Sequence, residues 1–317
     1  MKVIKMQQHS QRKAHKIEVT PLILGSGSFL TESDRERAYR LLDAFVALGG
    51  NTIDTARHYG IAEHIIGDWL TLRENRDKIV LLTKGGHPTQ ENPAQHRLSA
   101  TAISEDLNTS LSALNTERVE FYALHRDDPA VGVDEIMHQL HQFVQQGKVG
   151  AIGASNWKTD RIIAANQYAQ ENNLTPFTFN SPGFSLATCN RPRWPGCEIA
   201  NAEMLEWHKD NNIPLVAWSP QGAGFFSGKY SPDNLDNREM VDVYYNDANW
   251  KKYDRAATLA PELDVSTSQI ALAYVLNQPF SSLAVIGARN EEQLREAFKA
   301  SQLSLTPEQV SWLNLQQ

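Results

Sequence analysis

The chain has 317 residues, of which 41% are apolar and 21% charged. That length suits one large α/β barrel or two ordinary domains with a sizeable core, and it is too long for a small stapled module. A formal net charge of −7 with scattered positive residues gives no reason to expect a nucleic-acid partner, and Cys189 and Cys197 fit neither zinc nor thioredoxin spacing, so they read as reduced thiols.

Met1 to Lys16 is rich in Lys, Arg, His and Gln and has no apolar stretch of about seven residues. It reads as neither a signal peptide nor a membrane span, and residues 1–18 read as an N-terminal extension. No later run reaches about 18 apolar residues, so the expected location is the cytoplasm, away from membranes. Short apolar runs then alternate with amphipathic segments. The runs are Pro21–Gly25, Thr52–Asp54, Ile79–Thr83, Val119–Leu124, Val149–Gly153, Phe177–Phe179, Pro214–Ser219 and Leu283–Gly287. Helical patterning fills Asp34–Leu48, Ala62–Leu72, Ala100–Leu114, Asp134–Gln146, Thr159–Glu171, Ile199–Asn211, Ala256–Leu263 with Thr267–Asn277, and Glu291–Ala300. Tyr230 to Lys252 is polar and reads as a long loop. Eight strand–helix units without a linker predict a single (β/α)8 barrel over residues 1–317.

Active sites of such barrels lie at the C-terminal ends of the strands. Those ends carry Asp54 with Tyr59 beyond it, Lys84, His125, Ser155-Asn156, Trp218-Ser219 with Gln221-Gly222-Ala223-Gly224 following, and Gly287 with Arg289. An isolated Asp or Lys there is as often structural as catalytic. Four such groups on three neighbouring strands point to proton transfer. A tyrosine titrates too high, near 10, to be an efficient acid at neutral pH; a lysine ammonium beside it favours the phenolate. Asp54 would hold that lysine charged, and His125 would donate a hydrogen bond to a carbonyl oxygen.

The stretch Asn51-Thr52-Ile53-Asp54-Thr55-Ala56-Arg57-His58-Tyr59-Gly60 resembles the aldo-keto reductase signature, as does Ala62-Glu63-His64-Ile65-Ile66-Gly67. Leu82-Thr83-Lys84, Leu124-His125-Arg126-Asp127-Asp128, Ile152-Gly153-Ala154-Ser155-Asn156-Trp157, Val216-Ala217-Trp218-Ser219-Pro220 and the stretch from Val285 to Leu294 follow in that family's order. The resemblance runs from about Pro21 to Trp312. It implies a TIM barrel that binds NADP(H) and reduces aldehydes or ketones to alcohols, with Asp54, Tyr59, Lys84 and His125 as catalytic residues and Tyr59 as the proton donor. By the same resemblance, Ser155 and Asn156 hold the nicotinamide carboxamide, with Ser181 at the position of a second ligand that is commonly Gln. Trp218 stacks on the nicotinamide. Ser219, Gln221, Gly224 and Phe225 surround the pyrophosphate. Gly287 is a further cofactor contact, and Arg289 and Gln293 serve the adenosine end, where a common Asn is missing near Ala297. Gly27, Ser28 and Phe29 make the first cofactor contacts, and Asp54 also lies against the cofactor.

Other signals are weaker. Gly25-Ser26-Gly27-Ser28-Phe29-Leu30 lacks the last glycine of a dinucleotide fingerprint, and His125-Arg126-Asp127 lacks the rest of a kinase catalytic loop. His138 and His141 lie three apart on an expected helix, and no metal is expected. Two other functions compete with the reductase: a metal-dependent hydrolase using Asp54, His58 and His125, and an NADPH-binding redox-sensing subunit with little turnover. Trp157, Phe184, Trp194 and Tyr244 are the aromatics expected to line the substrate pocket. The expected partner is a small carbonyl compound; the sequence names neither that compound nor an oligomeric state.

Overall fold

The computed structural model describes residues 4–10, 13–89, 91–93 and 95–316. It opens with an antiparallel hairpin, β1 (Ile4–Ser10) and β2 (Lys13–Val19), in the register Ile4↔Val19 to Ser10↔Lys13. The next eight strands are parallel and close into a barrel: β3 (Leu22–Gly25), β4 (Thr52–Asp54), β5 (Val80–Gly85), β6 (Val119–Leu124), β7 (Val149–Ser155), β8 (Asn180–Ser181), β9 (Leu215–Trp218) and β10 (Ser282–Ile286). β10 pairs with β3 to complete the circle. This is the (β/α)8 fold that the alternating pattern predicts.

Residues alternate along each strand between two cores. One set, including Leu22, Leu24, Ile53, Leu81 and Tyr122, faces outward against the helices. The other, Ile23, Val80, Leu82, Phe121, Ala123, Ala151, Phe179, Val216 and Leu283, fills the barrel itself. Phe179 fits because Gly153 lies opposite: a Cβ on Gly153 would stand 2.5 Å from the ring. The hairpin belongs to this inner core. Met6 and Val19 are buried with the barrel-filling residues, and Asn51 ties the hairpin down by donating to the Glu18 carbonyl at 2.8 Å. The two hairpin strands therefore cover the barrel floor, the end opposite the strand C-termini.

The outer ring consists of α1 (Arg35–Ala47), α2 (Ala62–Arg73), α3 (Ala100–Ala113), α4 (Val133–Gln145), α5 (Thr159–Glu171), α6 (Ala202–Asn211), α7 (Arg238–Tyr244), α8 (Asp247–Glu262), α9 (Thr267–Leu276), α10 (Glu291–Ala300) and α11 (Pro307–Leu313). The loop expected over 230–252 contains α7 and the start of α8. Asn237 and Asn246 cap these helices by accepting from the backbone N–H groups of Met240 and Asn249. Two polar residues there point inward: Asn249 is fully buried and bonds the backbone of Thr188 and Tyr244, and Lys252 donates to the Leu186 carbonyl and the Thr188 hydroxyl. The sixth barrel strand also differs from expectation. Its ladder is confined to Asn180–Ser181, while Phe177 and Phe179 on its approach are buried.

Candidate active site

A cavity of about 1960 Å³ opens at the C-terminal ends of the barrel strands. Asp54 ends β4, and Lys84 sits on β5 directly alongside. The Lys84 ammonium donates to Asp54 Oδ1 at 2.5 Å and to the Thr55 carbonyl at 3.0 Å, with both charged side chains 5% exposed. Tyr59 follows on the loop after β4. Its ring centre lies 5.3 Å from Lys84 Nζ and 5.6 Å from the ring of His125, which follows β6. The four expected catalytic residues therefore converge at the base of one cavity.

Their electrostatics follow from burial and from each other. Burial is the largest influence on Lys84 and disfavours its charge, but Asp54 and Tyr59 outweigh it and hold the amine above its usual pKa. Burial pushes the Asp54 carboxyl up while the Lys84 ammonium opposes it. The Tyr59 phenol is raised above its ordinary value. Burial dominates there, Asp54 adds to it, and Lys84 and Arg126 work against it. The sequence reading expects Lys84 to lower this pKa. Lys84 acts in that direction, but desolvation prevails, so the Tyr59 phenol keeps its proton at neutral pH. Burial, reinforced by Lys84 and Arg126, holds His125 well below the usual histidine range, leaving a neutral imidazole whose Nδ1 is buried without a partner.

The cavity continues past Ser155, Asn156 and Ser181 to Trp218. Asn156 has φ 60°. Its amide nitrogen donates to the His125 carbonyl at 3.1 Å and to Ser155 Oγ at 3.2 Å. Its oxygen accepts from Trp218 Nε1 at 3.1 Å and from the Glu198 backbone N–H at 3.2 Å. Asn156 thus joins three strand ends and orients the indole. Ser155 donates to the Ser181 carbonyl, while Ser181 Oγ is buried with no partner. An orphaned hydroxyl lining a cavity fits an amide-bearing group such as a nicotinamide carboxamide.

Beyond Trp218 the backbone enters the left-handed region at Ser219, Gly222, Ala223 and Gly224, with φ from 52° to 85°. Such a run makes a concave backbone surface suited to phosphates. Gly27, Ser28, Gln221, Gly287, Arg289, Gln293 and Ala297 line the same cavity. A Cβ on Gly287 would meet nothing within 4 Å, so that backbone faces open space. Arg289 is exposed, and its backbone N–H donates to Gln293 Oε1 at 2.8 Å. Glu291 pairs with Arg295 at 2.8 Å, away from Arg289.

Two expected cofactor contacts are not cavity walls. Phe29 and Phe225 are fully buried in the outer core, Phe225 among Phe226, Tyr244, Trp250 and Tyr253. Their rings pack the loops and leave the cavity to neighbouring residues. Of the four aromatics expected around the substrate, Trp194 lines the cavity, 5.8 Å from Trp218 between ring centres. Trp157, Phe184 and Tyr244 are core residues. His87, after β5, is a wall residue that no motif singled out. It stacks on His58 at 3.6 Å and lies 4.9 Å from His125. Burial is the main cause that lowers the His58 pKa and brings His87 to about 4. Among the described residues no group of three or more His, Cys, Asp or Glu could hold a metal ion. No helix among them is long and apolar enough to cross a membrane.

A family model described as the aldo/keto reductase family matches residues 21–314. The oxidoreductase YrpG of Bacillus subtilis is 30% identical over 309 residues, covering 94% of this chain and 92% of that protein. An aryl-alcohol dehydrogenase of Pestalotiopsis microspora is 30% identical over 316 residues, covering 93% and 78%. The structure of the thermostable aldo-keto reductase Tm1743 with the inhibitor epalrestat is similar in fold, with a TM-score of 0.74 at 23% identity over 100% of both chains.

Proposed function

We propose that this chain, which belongs to the aldo/keto reductase family, reduces an aldehyde or ketone to an alcohol using NADPH, with Tyr59 as the proton donor. The observation that carries this reading is the buried Lys84–Asp54 pair beside a protonated Tyr59 and a neutral His125, all at one end of a long cavity. When bound, the nicotinamide supplies the hydride that reaches the carbonyl carbon.

The protein's own groups do the rest. Trp218 offers an aromatic face, with Ser155, Asn156 and the unpartnered Ser181 hydroxyl at hand for the carboxamide. Asn156 must exchange one of its present bonds to take part. The loop from Ser219 to Gly224 suits the pyrophosphate, and Arg289 with Gln293 the adenosine end. A carbonyl oxygen placed between Tyr59 and His125 receives a hydrogen bond from the neutral imidazole and the phenolic proton. The Lys84 ammonium stabilises the phenolate that remains, and Asp54 keeps that ammonium charged. Solvent then reprotonates Tyr59. We also read the chain as one cytoplasmic domain.

The test is Tyr59→Phe. The ring still fills its space, so NADPH titration by tryptophan fluorescence stays near wild type while aldehyde reduction falls by about 10²–10⁴-fold. Wild-type turnover in the variant overturns the assignment of Tyr59.

A further inference from the structure

We propose, resting on the reductase reading, that Arg126 is a carboxylate-binding residue of the substrate pocket and that the preferred carbonyl substrates carry a carboxylate. Arg126 follows His125 and lines the same cavity, yet is 9% exposed. A guanidinium has five N–H donors and remains charged at any working pH. The one protein hydrogen bond that this guanidinium makes among the described residues is from Nη1 to the His125 carbonyl at 2.8 Å. No carboxylate among them lies within ion-pair distance of it.

Several acids and cations nearby are already matched. Asp127, the next residue, is taken by Arg161 at 3.2 Å, Lys84 by Asp54, and Arg193 by Glu239 at 2.7 Å. Among the described residues, Arg126 is a buried cation of the cavity wall with no carboxylate partner. Its charge bears on Tyr59, His58, His87, His125 and Cys197, which puts it within electrostatic reach of the reacting end of the cavity. The histidines around it are held neutral, so they supply polar wall and no competing positive charge. His87 Nδ1 sits 2.7 Å from the Pro88 carbonyl, which fixes the proton on that nitrogen and leaves Nε2 as an acceptor.

Gly196 closes over the arginine. Its backbone has φ 68°, and a Cβ there would stand 3.2 Å from Arg126 Cδ. The loop that carries Trp194 and Cys197 therefore lies against the Cδ–Nε stem of the side chain, not across its Nη end. A buried charge without a counter-ion is costly to keep. A planar carboxylate entering the cavity would supply that counter-ion through paired, charge-assisted hydrogen bonds.

The experiment compares 3- and 4-carboxybenzaldehyde with their methyl esters under saturating NADPH, in wild type, Arg126→Met and Arg126→Lys. Wild type is expected to favour at least one acid over its ester by about tenfold or more in kcat/KM, mainly through KM. The acid-to-ester ratio collapses towards one in Arg126→Met and is partly retained in Arg126→Lys. Equal kcat/KM for acid and ester in wild type, or a preference that survives Arg126→Met, overturns the proposal. Calorimetric titration with benzoate and benzamide separates this claim from the reductase reading. If no aldehyde is reduced, that reading fails, and Arg126 is judged by whether benzoate binds wild type more tightly than benzamide and loses that advantage in Arg126→Met.

Discussion

Replacing Lys84 by Met tests the electrostatic core of the site through stability alone, without a substrate. The methionine keeps most of the volume but removes the charge that sits 2.5 Å from Asp54. Both partners are buried, and removing one member of a buried pair costs about 3–5 kcal/mol because the other charge is stranded. In wild type Lys84 is the group that opposes the burial of Asp54. Without it the folded-state pKa of Asp54 rises further above the unfolded value. A carboxyl raised in this way contributes most below its unfolded pKa, near the ordinary 3.8, and loses stability as pH rises towards the folded value. The slope is about −1.4 kcal/mol per pH unit, so a deficit of about 3–5 kcal/mol accumulates over about two to four pH units. Urea unfolding followed by circular dichroism every half unit from pH 4 to 8 reads this directly. The Lys84→Met curve falls relative to wild type across that range, and Lys84→Met combined with Asp54→Asn removes the extra slope. A single variant whose stability runs parallel to wild type refutes the account of a charged, mutually dependent pair.

Two further outcomes are expected. Arg289→Ala lowers affinity for NADPH about ten- to hundredfold and leaves NADH nearly unchanged, because a guanidinium can pair with the adenosine 2′-phosphate; fluorescence titration of both cofactors checks it, and equal wild-type affinities contradict it. Glu291 does not complicate this, since it is paired with Arg295. Met6→Ala, at the opposite end of the barrel, costs about 2–5 kcal/mol in urea unfolding by leaving a cavity in the floor, while KM for any aldehyde stays at its wild-type value.

The barrel was legible because its strands are continuous apolar runs, and the convergence of Asp54, Tyr59, Lys84 and His125 followed from the rule that places sites at strand ends. What the sequence concealed depends on direction. Met6 and Val19 are core residues, but they alternate with Lys, Gln and Glu, so the hairpin looks like a polar tail. The segment 230–252 has a loop's composition although Asn237 and Asn246 cap helices and Asn249 is a buried hydrogen-bonding group. An aromatic residue does not announce which face it takes: Trp194 lines the cavity, while Phe29, Phe225, Trp157, Phe184 and Tyr244 pack the core. Arg126 was hidden differently. Its neighbour in sequence is an acid, and only the fold shows that Asp127 turns away to Arg161.

The covered floor has a consequence for how the chain assembles. The two hairpin strands contact each other locally and can pair early, but an isolated two-stranded hairpin is marginal in water. The seat that buries Met6 includes Ile23, Phe121, Phe179 and Leu283, residues drawn from nearly the whole length of the chain. That seat does not exist until β10 has paired with β3. The hairpin, early in the sequence, must therefore wait for β10, late in it, before its apolar face is hidden. Protection of the hairpin's amide hydrogens from exchange thus serves as a clock for ring closure, registering the moment when the two ends of the barrel meet.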